Sequence, residues 1–128
     1  MANEHREKGI EMFNEVYCND LPQPPETGKD RFFDYMLDTV FGQLWADETL
    51  SIRDRRLLLL GAIAAQGEDM TFTIQARSAL KRGELTPAEL REFLLMIAQY
   101  AGYPRAAALV GIVEQKIAEV EAEKKTKK

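Results

Sequence analysis

Apolar positions recur at helical spacing along most of the chain, and proline and glycine separate the series. Ile10, Phe13, Val16 and Tyr17 lie on one helical face. The series stops before Asn19-Asp20-Leu21-Pro22-Gln23-Pro24-Pro25, whose prolines cannot continue a helix. In residues 29–41, Phe32, Phe33, Tyr35, Met36, Leu37, Val40 and Phe41 follow too densely for an exposed helix. After Gly42, Gln43-Leu44-Trp45 reads as a short packed turn. Ser51 predicts an N-cap with Asp54 three residues on, and residues 57–65 are apolar almost all round, the pattern of a central buried helix that Gly67 ends. Asp69 reads as the cap of a helix over residues 70–81, which Gly83 terminates. Thr86-Pro87-Ala88-Glu89 joins a capping threonine, a proline at the first helical position and a glutamate at the third. Leu90, Phe93, Leu94, Ile97 and Ala98 form that helix's inner face. Gly102 and Pro104 separate it from a last helix carrying Ala107, Val110, Val113, Ile117 and Val120.

No alternating strand pattern interrupts these series, so the expected fold is all-α, a compact domain of about six helices over residues 1–128. There is no repeat of fixed period. Residues 121–128 form a basic tail in which Lys124, Lys125, Lys127 and Lys128 complement the negative end of the last helix and are expected to fray.

Composition narrows the chemistry. With 128 residues, 45% hydrophobic and 30% charged, the chain can bury one modest core. A net charge of −4 argues against a dedicated nucleic-acid binder, which needs a basic face. No apolar run approaches the roughly 20 residues that span a bilayer, and the polar start lacks a signal core, so no membrane partner and a cytoplasmic location are expected. Cys18 is the only cysteine and His5 the only histidine. An internal disulfide, a dithiol cycle and a Cys/His zinc site are thereby excluded, and no metal site is expected. Any Ser-His or Cys-His pair would depend on His5, close to the N-terminus.

A set of strings adds to this pattern. They are Lys8-Gly9-Ile10-Glu11-Met12-Phe13-Asn14-Glu15-Val16-Tyr17, Phe41-Gly42-Gln43-Leu44-Trp45 and Leu50-Ser51-Ile52-Arg53-Asp54-Arg55-Arg56-Leu57. Further on come Arg77-Ser78-Ala79-Leu80-Lys81-Arg82-Gly83, Thr86-Pro87-Ala88-Glu89-Leu90-Arg91-Glu92 and Tyr100-Ala101-Gly102-Tyr103-Pro104-Arg105-Ala106-Ala107. In their order and spacing, from residue 8 to about 120, they resemble the carboxymuconolactone decarboxylase family, relatives of the alkylhydroperoxidase D-like proteins. The resemblance implies an alkylhydroperoxidase D-like helical fold, assembly as homotrimers or homohexamers, and a cofactor-independent reaction in aromatic-compound degradation. There a carboxylated lactone loses carbon dioxide to give an enol-lactone. The electrons left behind delocalise into the conjugated lactone, so such an enzyme binds carboxylates, stabilises an enolate-like oxyanion and delivers a proton.

Two departures bear on that chemistry. Decarboxylases of the family commonly carry a histidine two residues before the arginine of the Arg-x-Ala-Leu string; here that position is Gln75. An amide donates a hydrogen bond but is no general acid near neutral pH. The peroxidase relatives place a Cys-x-x-Cys pair in the same helix, whereas this chain has Thr71-Phe72-Thr73-Ile74-Gln75, so dithiol peroxidase chemistry is not expected. Gln75 and Asp54 are the candidate catalytic residues, and Asp54 has a second reading as the capping partner of Ser51. Arg77, Arg53, Arg55, Trp45 and Tyr100 are the candidate substrate-binding residues for a small anionic or lactone substrate. Arg53, Arg55 and Arg56 crowd a helix N-terminus, where cations oppose the macrodipole, and carboxylates of a neighbouring subunit or an anionic ligand would relieve them. Arg77 reads equally as a salt-bridge residue, and Trp45 and Tyr100 as core aromatics. The second functional reading is a family member that binds a small acid or acts as an oligomeric scaffold without turnover. On the first reading, Gln75→His would restore the missing acid.

Overall fold

Six α-helices and one π-helical segment follow in the order expected, with no strand among the described residues. The computed structural model describes the backbone of residues 2–126 and the side chains of residues 4–126. The helices are α1 (Ala2–Val16), α2 (Arg31–Met36), a π-helix (Leu37–Trp45), α3 (Ile52–Gln66), α4 (Asp69–Lys81), α5 (Pro87–Ala101) and α6 (Tyr103–Thr126). They fall into two compact units, residues 1–55 and residues 56–128. None is long and apolar enough to cross a membrane among the described residues.

In the first unit, α1 buries Met12, Phe13 and Val16. It ends where Cys18 and Asn19 adopt left-handed φ values of 57° and 58°. The proline loop that follows is tied back by buried Arg6, which donates to the Pro25 carbonyl at 2.7 Å and to Asp34 Oδ1 at 2.8 Å. Asp30 caps α2 by accepting the Phe32 N–H. The helix then continues as a π-helix, so residues 43–45 are not the turn that Gly42 suggested. The reason lies in packing. A Cβ on Gly42 would collide with the His5 carbonyl, and one on Gly9 with the Leu37 carbonyl, so the two glycines let α1 and the π-helix touch backbone to backbone. The wider π-turn brings Leu37, Phe41, Gly42 and Trp45 to the buried side. Phe13, Tyr17 and Phe41 pack edge to face, with centroids 5.0–5.7 Å apart, and Trp45 stacks on Phe41.

The second unit is built around Leu60, Ile63, Phe72, Ala76, Leu80, Leu85, Leu90, Leu94, Leu109, Val113, Ile117 and Val120. The structure departs from the sequence pattern at α3, α4 and α6. α3 is not buried all round: Leu58 is 70% exposed, and Ala62 and Ala65 also face outward. α4 starts one residue early, so Asp69 lies in its first turn, and Glu68 occupies the cap position without a side-chain cap bond. On α6 the buried stripe is Ala106, Leu109, Val113, Ile117 and Val120, while Ala107 and Val110 face out. Pro104 is accommodated within the first turn of α6, where no N–H is required, and so does not break it. Gly67 (φ +76°) and Gly83 (φ +71°) turn the chain in the left-handed region, as their positions predict. The capping box of Thr86 and Glu89 is complete in both directions. α6 continues helical through residues 121–126, while Lys127 and Lys128 of the basic tail lie outside the described residues.

Candidate functional site

Gln75 sits in a buried polar cluster that α3, α4 and the α4–α5 turn assemble within the second unit. It is 1% exposed, and Arg56 from α3 is fully buried beside it. Arg56 Nη1 donates to Gln75 Oε1 at 2.7 Å. Its Nε donates to Glu84 Oε1 at 2.8 Å, and Nη2 reaches Glu84 Oε2 at 3.4 Å. The left-handed turn at Gly83 brings Glu84 back, and the Glu84 N–H donates to the Ala79 carbonyl at 2.9 Å. Arg82 adds a second cation to the same carboxylate at 2.7 Å, and Ser78 is buried one turn beyond Gln75. A buried guanidinium with carboxylate and amide partners has its charge compensated in place, which is the condition for its burial. Guanidinium is donor-only, so the Gln75 oxygen must face Arg56 and the amide nitrogen points the other way as a donor.

Arg77 leaves α4 in another direction, as a separation of two helical residues requires. It pairs with α6, Nη1 lying 2.5 Å from Glu119 Oε1 and 2.8 Å from Glu123 Oε2, and Nη2 2.9 Å from Glu123 Oε1. This is a fork-type pair that staples α4 to α6. Tyr100 is 83% exposed on α5. Beside it on the sequence, α5 and α6 enclose a mainly apolar groove of about 280 Å³ that includes Leu94, Leu95, Tyr103 and Val110. Arg91 and Glu114 join across this groove at 2.8 and 2.9 Å. The Arg91 hydrogen bond and charge hold the Glu114 carboxyl below its ordinary range, and Glu114 in turn raises the guanidinium of Arg91.

The remaining candidates belong to the first unit. Asp54 is exposed in the first turn of α3, where its N–H donates to Ser51 Oγ at 3.0 Å, so Ser51 is the cap that the sequence predicts. Arg53 is exposed. Arg55 donates to the carbonyls of Asp47 at 3.0 Å and Leu50 at 3.3 Å, and lies 3.8 Å from Asp47 Oδ1. Hydrogen bonds from Thr49, and then the charge of Arg55, lower the Asp47 carboxyl from its ordinary value. Trp45 is 7% exposed and borders a cavity of about 290 Å³ with Lys8, Met12, Glu15 and Asp47.

The crowded arginines of α3 are therefore relieved within the chain: Arg55 by loop carbonyls, Arg56 by Glu84. Sequence reasoning grouped Arg56 with its neighbours and passed over Glu84. The available signal was an arginine directly against the run Leu57-Leu58-Leu59-Leu60, with a carboxylate directly after a turn glycine. Among the described residues no three His, Cys, Asp or Glu side chains converge as a metal site would.

The sequence profile of the Carboxymuconolactone decarboxylase family matches residues 30–115, about two thirds of the chain. No curated protein sequence matches it. The helical architecture agrees with that profile, and the chain belongs to the carboxymuconolactone decarboxylase family.

Proposed function

We propose that this chain is a cofactor-independent enzyme of the decarboxylase type that acts on a small cyclic carboxylic acid such as a carboxylated lactone. The observation that supports this reading is the buried Arg56–Gln75–Glu84 cluster, in which Gln75 is the residue that the resemblance matches to the family histidine. In the proposed step the bond to the departing carboxylate breaks, carbon dioxide leaves, and the electron pair moves into the conjugated lactone carbonyl. The Gln75 amide N–H stabilises the resulting oxyanion, and water supplies the proton that Gln75 cannot. The assembly proposed for it is a homotrimer or homohexamer. Exposed Leu58, Met70, Leu95, Met96, Tyr100 and Tyr103 support this, since subunit contacts would take large apolar side chains out of water.

A second reading, binding of a small acid without turnover, is favoured by one feature: residue 75 bears no titratable group and is held in an ion cluster. Following enol-lactone formation from γ-carboxymuconolactone separates the two. The enzyme reading expects turnover that Gln75→Ala abolishes and His5→Ala retains. No turnover, with the acid still bound, establishes the second reading. Sedimentation of the same sample as a stable monomer would remove the assembly.

A further inference from the structure

We propose that Arg56 is a positioning residue for position 75: it orients the Gln75 amide as a donor and keeps a protonated, cationic group out of that position. Its role towards a ligand oxygen rests on the function proposed above; the control of charge and orientation does not.

Donor and acceptor chemistry fixes the orientation of residue 75. A guanidinium has five N–H donors and no acceptor. At 2.7 Å from Arg56 Nη1, the atom of residue 75 must be an acceptor, and the amide oxygen meets that need. An amide turned over would place two N–H donors against a buried cation and lose a charge-assisted bond. The orientation of Gln75 is thus set by its neighbour, and the donor face is set with it.

The same geometry governs charge. A histidine at position 75 could replace the amide only by offering a ring nitrogen lone pair to Arg56. That requires the neutral imidazole, and protonation would place two cations in hydrogen-bond contact in a buried site. Burial and a like charge both push a histidine below its ordinary pKa of about 6.5. The charged groups around the position include Arg56 on α3, Glu84 on the α4–α5 turn, and Arg82 at the end of α4 behind Glu84. On α6, Glu119 and Glu123 are engaged by Arg77 on the same helix as Gln75. Glu84 is already shared by Arg56 and Arg82, so its charge does not offset the approach of Arg56 to residue 75. Restoring an acid by Gln75→His alone, as the sequence suggests, therefore fails for a reason that lies on α3. The acid needs Arg56 replaced as well.

The experiment is an NMR titration of the introduced imidazole in a His5→Gln background, where it is the sole histidine. In Gln75→His the midpoint is expected at least about one pH unit below 6.5. Adding Arg56→Gln should raise it by about one unit or more, because Glu84 then acts on the ring without the intervening cation. A midpoint at or above 6.5 with Arg56 present, or the same midpoint in both variants, overturns the proposal. So does acid-dependent lactone turnover by Gln75→His with Arg56 intact. A pair of melting curves at pH 7 covers the case in which the histidine variants do not fold. Gln75→Glu, which offers Arg56 an acceptor, should melt above Gln75→Met, which offers none; the reverse order overturns the proposal. Titration and melting need no substrate, so their outcome is independent of whether the chain turns over a lactone.

Discussion

In the first unit, α1 and the π-helix meet through backbone, with Gly9 against the Leu37 carbonyl and Gly42 against that of His5. In the second, helices are spaced by leucine, isoleucine and valine side chains, and a long charged side chain, Arg56, is threaded among them to reach Gln75 and Glu84. One interface works because side chains are missing. The other works because a polar side chain finds its partners. The first should therefore be intolerant of addition and the second intolerant of removal, although both are helix packings in one chain.

The largest expected effect tests the second unit. Arg56→Leu leaves the Glu84 carboxylate buried and removes the Arg56 bond to Gln75; loss of one member of a buried pair costs about 3–5 kcal/mol. Arg82 still bonds Glu84, which places the loss at the lower end. Denaturant melts give this number directly, and a loss under about 1 kcal/mol, the range of exposed pairs, would show that the cluster is not a buried ion pair in solution.

Next comes the first unit. Gly42→Ala adds one methyl group against a carbonyl that cannot swing aside, and overpacking of this kind costs about 1–3 kcal/mol or more. Gly111→Ala, on the exposed side of α6 with open space around it, is the control and should gain up to about 1 kcal/mol from helix propensity. If both glycines respond alike, the close approach of α1 to the π-helix is wrong.

The smallest effect is a pH dependence that the units share. Asp47 in the first and Glu114 in the second are held below their ordinary values by Thr49 and Arg91 respectively. A depressed carboxyl contributes stability above its unfolded pKa and loses it as pH falls through the folded one. The melting temperature should thus decline as pH drops below about 4.5, and Asp47→Asn and Glu114→Gln should each flatten part of the decline. An unchanged slope in both variants would remove these two groups as its source.

The sequence by itself determined the all-α class, the start and stop of most helices, and the family. These depend on local rules: Thr86 and Glu89 cap each other three residues apart, Ser51 accepts the Asp54 N–H, and Gly67 and Gly83 supply left-handed turns wherever the rest of the chain lies. Position 75 was legible as chemically unusual, because an amide in an otherwise apolar helix needs a partner. Only the tertiary structure decided which partner it has. Arg56 and Glu84 stand 19 and 9 residues away from Gln75, so no periodicity links them, and adjacent Arg55 looks the same in sequence yet binds loop carbonyls. Tertiary packing also decided that Gly42 is a contact point within a helix instead of its end, since a glycine's lack of a Cβ serves a turn and a close approach equally. It decided, too, that Val110 faces outward while Leu109 faces inward. On an amphipathic helix the buried stripe is set by what packs against it, and one residue's rotation of about 100° moves the whole assignment.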